Sequence, residues 1–135
     1  MSQAATGTLS PGTSPVTIKP QRIEEGIVER VANGDTVTVI SPNQTKLRVR
    51  LYGIDAPETP KDTKFPGQPF GEEAAGHLEQ LVHHKRVRVE IYGVDRYHRL
   101  LGVLFLDGRN INLSMLEAGL AEVYRGPEED NPYKA

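Results

Sequence analysis

The stretch from Asn33 to Glu58 constrains this chain more than any other. It reads N-G-D-T-V-T-V-I, a polar gap, then K-L-R-V-R-L-Y-G-I-D-A-P-E. Apolar and polar residues alternate in both halves, which predicts two half-buried strands. The first opens on Asp35 and the second ends at Asp55 and Glu58, with Arg50 between them. Three carboxylates and a guanidinium at strand ends are what a divalent-metal phosphodiesterase needs.

The flanking sequence predicts a small domain around this corner. Gly26–Val31 is a short strand candidate. Asn33-Gly34 signals a hairpin turn, because both residues tolerate positive φ. Val37 and Val39 share a face with Asp35. In the next strand Leu47, Val49 and Leu51 point inward and Lys46, Arg48 and Arg50 outward. Pro57 and Pro60 end this meander, since proline cannot donate to a ladder.

After a loop over 59–70, Ala74, Ala75, Leu78, Leu81 and Val82 form the apolar stripe of a helix over 71–84. Glu72 and Glu73 suit its N-terminus, and His83, His84 and Lys85 its C-terminus. Val87, Val89 and Ile91 mark a half-buried strand, and Leu100–Leu106 an apolar strand that crosses the core. Asp107-Gly108 turns the chain through a brief strand to Asn112. A short helix over 113–118, capped by Asn112 and stopped by Gly119, precedes an extended segment from Leu120 to Tyr124.

The order β-β-β-α-β-β-α predicts a β-rich α+β fold, a five-stranded OB-fold barrel with two or three helices. Residues 1–22, rich in Ser, Thr, Pro and Gly, read as a flexible tail, and 23–135 as a single domain. At 135 residues the chain supports one core.

Composition removes some chemistries. The absence of cysteine excludes disulfides and thiolate zinc sites. No apolar run approaches the ~20 residues of a membrane span, and no secretory leader is visible, so location stays open. A net charge of −2 argues against gripping nucleic acid by overall charge, yet residues 85–99 hold five Lys/Arg against two acids. Taken singly the motifs are modest: Asn33-Gly-Asp-Thr and Asp55-Ala-Pro-Glu read as turns, and Arg50 and Arg99 as solvated charges. His77, His83 and His84 read as surface residues; the adjacent His83 and His84 cannot share a helix face. Together, carboxylates without Cys suit Ca²⁺ or Mg²⁺.

Three motifs in order carry a more specific resemblance: N-G-D-T at 33–36, R-L-Y-G-I-D-A-P-E at 50–58 and D-R-Y-H-R at 95–99. With N-L-S-M-L-E-A-G-L-A at 112–121, the chain resembles the staphylococcal nuclease-like (thermonuclease) family over roughly residues 23–125. The resemblance implies a calcium-dependent OB-fold phosphodiesterase acting on single-stranded DNA or RNA and leaving a 3′-phosphate. It implies that Asp35, Asp55 and the backbone carbonyl of Ala56 hold Ca²⁺, and that Glu58 activates the attacking water. Arg50 and Arg99 would hold the phosphate, and Tyr97 would face the nucleotide. His98 stands where glycine is common, and Glu128–Ala135 would be the first turn of a C-terminal helix. The competing expectation is a non-catalytic OB-fold module that binds nucleic acid or protein, and no feature points beyond a monomer.

Overall fold

The computed structural model describes residues 19–61 and 66–124. The expectations for the first 18 residues and for Glu128–Ala135 lie outside them. The first strand, β1 (Arg22–Asn33), is twelve residues long, because it serves two partners. Its first half pairs antiparallel with β5 (Arg86–Val94), from Arg22↔Ile91 to Ile27↔Arg86. Its second half pairs with β2 (Thr36–Ile40), with register shifts after Val28 and Val31 that bend it between the two. The expected Gly26–Val31 strand was only the middle of this element, since Ile23 and the two glutamates after it give no clean alternation.

β2 continues antiparallel into β3 (Lys46–Leu51). β5 pairs antiparallel with β6 (Leu100–Leu106). The barrel closes where β3 and β6 run parallel, with Val49↔Leu100, Arg50↔Leu101 and Leu51↔Gly102 as partners. Five strands thus close in the order β1-β2-β3-β6-β5, and β7 (Arg109–Asn110) hangs on the free edge of β6. The turn into β7 uses Asp107 and Gly108 at φ 51° and 82°, as their sequence predicts. A separate two-residue ribbon pairs β4 (Ile54–Asp55) with β8 (Glu122–Val123).

Helix α1 (Gly71–Val82) plugs one end of the barrel through Ala74, Leu78 and Val82, all fully buried. It is two residues shorter than expected, because His83 leaves the helix at ψ 128° and His84 sits at φ 63°. The three histidines lie on and just beyond it, with His83 and His84 stacked 3.7 Å apart. No helix among the described residues is long and apolar enough to cross a membrane.

Two details differ from the sequence reading. Neither Asn33 nor Gly34 takes left-handed backbone. Gly34 is required instead by a close approach: a Cβ there would lie 2.7 Å from the Ala74 Cβ and 3.0 Å from that of Ala56. The second helix, α2 (Ile111–Glu117), is capped by Asn110, whose side chain accepts from Leu113 N at 2.9 Å. Asn112 is no cap. It is fully buried, accepts from Leu104 N at 3.1 Å and donates to the carbonyls of Tyr52 and Gly102 at 3.0 and 3.1 Å. Gly119 ends the segment at φ 74° as expected.

Candidate active site

Asp35 is the buried centre of the site. It closes the β1–β2 hairpin, where its backbone carbonyl accepts from Leu51 N at 2.7 Å. Its Oδ1 accepts from the Thr36 hydroxyl at 2.9 Å and its Oδ2 from Ala56 N at 2.8 Å. These bonds draw the Asp55-Ala56 segment onto the end of the barrel.

Arg50 does not project into solvent as strand alternation suggested. Its side chain is only 15% exposed, because four oxygen atoms capture it at the strand end. Nη1 donates to the carbonyls of Leu51 and Ile54 at 3.0 and 2.8 Å. Nη2 lies 3.4 Å from Asp35 Oδ2 and 3.3 Å from Asp55 Oδ1. One guanidinium therefore sits between the two aspartates singled out from the sequence.

Asp55 projects outward on the β4–β8 ribbon, directly opposite Glu122. Its pKa is raised, first by partial burial and then by Asp35, Glu122 and Glu58, against the lowering effect of Arg50. Like charges facing each other across an antiparallel pair are destabilising. Sequence reasoning missed Glu122; only the ribbon pairing reveals it. Asp55 thus feels three other carboxylates, those of Asp35, Glu122 and Glu58, against the one guanidinium of Arg50.

The backbone of Glu58 is fixed on both sides. Its N–H donates to Gln68 Oε1 at 2.8 Å, and its carbonyl accepts from Gln68 N at 2.9 Å. Thr59 next to it is tied to Asn33 Oδ1 through its N–H and its hydroxyl, at 2.9 and 2.8 Å. The Glu58 side chain is half exposed and lies 3.7 Å from Lys61. Asn33, Thr59 and Gln68 were not singled out as functional, since each reads locally as a turn or loop residue.

Arg99 and Tyr97 come from the β5–β6 hairpin. Asp95 organises it: Oδ1 accepts from the N–H of Tyr97 and of Arg99 at 2.8 and 3.0 Å, and Oδ2 from Arg99 Nε at 2.9 Å. Burial opposes ionisation of Asp95, but these bonds outweigh it and hold its carboxyl below the usual range. His98 takes φ 63°, the left-handed conformation this loop demands. Tyr97 is exposed, with the guanidinium groups of Arg96 and Arg99 at 5.2 and 5.3 Å from its ring centroid.

Arg50, Arg99 and Tyr97 line one cleft of about 870 Å³. Its wall also carries Tyr52 and Tyr92, stacked 4.9 Å apart, and Tyr124. Tyr52 lies within the 50–58 motif but was not singled out, and no motif marks Tyr92 or Tyr124; the three converge only through the barrel. Asp55 and Ala56 open onto a neighbouring pocket of about 480 Å³. A cationic, aromatic cleft thus adjoins an acidic corner. Among the described residues no three Asp, Glu or His side chains converge closely enough to hold a metal unaided. The donor set still fits a hard cation: Asp35 and Asp55 share one cationic partner, Glu122 opposes Asp55, and every candidate donor is oxygen.

Comparisons with known proteins show what the chain is similar to. The chain is 37% identical over 106 residues to an uncharacterized endonuclease of Haemophilus influenzae, covering 78% of this chain and 56% of that protein. It is 39% identical over 109 residues to a micrococcal nuclease of Shigella flexneri, covering 74% and 58%. It is 35% identical over 111 residues to a thermonuclease of Staphylococcus intermedius, covering 81% and 65%. The chain thus spans less than two thirds of the length of these relatives. The profile of the family described as staphylococcal nuclease homologue matches residues 48–135, which include Arg50, Asp55, Glu58 and Arg99. With a five-stranded barrel and this site at its end, the chain belongs to the staphylococcal nuclease family.

Proposed function

We propose that this domain is a calcium-dependent phosphodiesterase that hydrolyses single-stranded DNA or RNA and leaves a 3′-phosphate. The observation that carries the reading is the position of Arg50, which lines the cleft with Arg99 while bridging Asp35 and Asp55. Asp35, Asp55 and the carbonyl of Ala56 would hold Ca²⁺, with water completing its coordination. When bound, the ion supplies charge neutralisation at the phosphate.

The chain's own residues do the rest. Glu58 takes a proton from water as its oxygen bonds to phosphorus. The bond from phosphorus to the 5′ oxygen breaks, and that oxygen takes a proton from solvent. Arg50 and Arg99 donate hydrogen bonds to the phosphoryl oxygens as charge gathers on them, a contribution that exists mainly in the transition state. Tyr97 and the cleft tyrosines offer faces for a nucleobase.

The test is degradation of denatured DNA and of RNA across a calcium titration, with a chelator control. Calcium-dependent cleavage that Glu58→Gln abolishes is the expected result. Equal rates with calcium and chelator, or full activity in Glu58→Gln, overturn the mechanism. Oligonucleotide binding without cleavage at any calcium concentration assigns the domain to the non-catalytic modules.

A further inference from the structure

Phe70 stands where local physics argues against a phenylalanine. It is the N-cap of α1, a position that favours Ser, Thr, Asp or Asn, and it makes no side-chain cap. Its backbone is left-handed at φ 67°, a conformation suited to glycine or asparagine. The conformation is fixed by a turn in which Gly71 N donates to Gln68 O at 3.0 Å, and by the first helical bond, from Ala74 N to Phe70 O at 2.9 Å. The residue is 66% exposed, more than any other large hydrophobic among the described residues. Capping, backbone preference and core packing therefore all fail to account for it.

Its surroundings supply a reason. Phe70 lines the pocket of about 480 Å³ whose other walls include Asp55 and Ala56. Those two residues belong to the acidic corner beside the Arg50 cleft, so the two hollows flank one centre. Leu120 and Pro69 add apolar wall, while Asp55 and Glu122 place carboxylates at the same pocket. Such carboxylates repel a phosphate and accept from the amino group of a base.

We propose that Phe70 is a stacking platform for a nucleobase of the same single strand, on the side of the scissile phosphate away from the tyrosine cleft. This rests on the nuclease reading above and deepens it: with base sites on both flanks, the domain engages bonds within a chain.

The experiment measures binding to the Glu58→Gln protein in calcium, using fluorescently labelled oligodeoxyadenylate of eight nucleotides and, separately, thymidine monophosphate. Phe70→Gly suits the left-handed backbone, so it is expected to keep or raise the melting temperature. It is expected to weaken the oligonucleotide about tenfold, the effect of removing one stacked base. Mononucleotide binding should be unchanged, and Phe70→Trp should restore the oligonucleotide affinity. Unchanged oligonucleotide affinity in Phe70→Gly, or equal loss for both ligands, overturns the platform. A lowered melting temperature also overturns it, since the ring would then pack on the protein itself. If the parent protein binds no oligonucleotide, the nuclease reading falls with it; if it binds and Phe70→Gly changes nothing, only the platform falls.

Discussion

Arg50 and Asp35 meet at 3.4 Å with both side chains largely out of solvent, 15% and 7% exposed. This pair sits between fold and chemistry. Removing the guanidinium leaves the Asp35 charge buried with only neutral donors, so Arg50→Ala should cost about 1–3 kcal/mol in urea unfolding. It should also lower turnover by at least ~10²-fold, as loss of a transition-state donor does. Added calcium should recover part of the lost stability by binding the folded state alone.

Asp55 carries the opposite balance. Its raised pKa means the folded chain favours the protonated form. The stability this provides is fully present below about pH 3.8 and is lost as pH rises through the folded value. Asp55→Asn should therefore raise the melting temperature of the metal-free protein at pH 7 and leave it unchanged near pH 3. The same substitution should abolish the calcium-induced rise in melting temperature. Thermal scans at the two pH values, with and without calcium, check both.

Asp95 aims Arg99 without touching the phosphate in the mechanism proposed. Asp95→Ala removes three hydrogen bonds to the loop, so kcat should fall roughly tenfold or more while the barrel stays folded. Since its pKa is lowered, the stability Asp95 contributes is present above about pH 3.8 and lost as pH falls through the folded value. The acid limb of the stability profile should thus flatten in the variant.

His98 pays for its left-handed backbone. His98→Gly should stabilise the protein by about 1 kcal/mol, seen as a higher urea midpoint with unchanged slope. The Asp95–Arg99 contact should survive, so turnover should be close to that of the parent.

Two asparagines two residues apart have different roles. Asn110→Ala loses a helix cap and should cost about 1 kcal/mol. Asn112→Ala removes one hydrogen-bond partner from each of three backbone groups at a fully buried position, although Gly102 O keeps the Tyr52 N–H at 2.8 Å, and should cost about 2–3 kcal/mol. Paired denaturation curves distinguish them.

Much of this was legible in the sequence because three of the barrel strands, β2, β3 and β5, alternate apolar and polar residues. Val37, Val39, Val49, Val87 and Val89 all face the core as period two requires. The motifs marked Asp35, Arg50, Asp55, Ala56, Tyr97 and Arg99, and the fold brings them to one end of the barrel. What escaped is what depends on tertiary contact. Asn112 looks like a cap until the strands it stitches are seen. Arg50 alternates outward until two carbonyls and two carboxylates capture it. Gly34 suggests a twisted turn, whereas the real constraint is the Ala74 side chain against it. Glu122, Tyr92 and Tyr124 carry no local signal, since their partners lie far away in the chain.

The parallel pairing of Val49 with Leu100 has a last consequence. Arg50 and Arg99 each adjoin that pair, so the two guanidinium groups become neighbours only when the barrel's remaining gap zips shut. Bringing those strands together spans β4, α1 and β5, so closing them costs the chain entropy of a long loop. In the mechanism proposed, both guanidinium groups are therefore in place only once the barrel has closed.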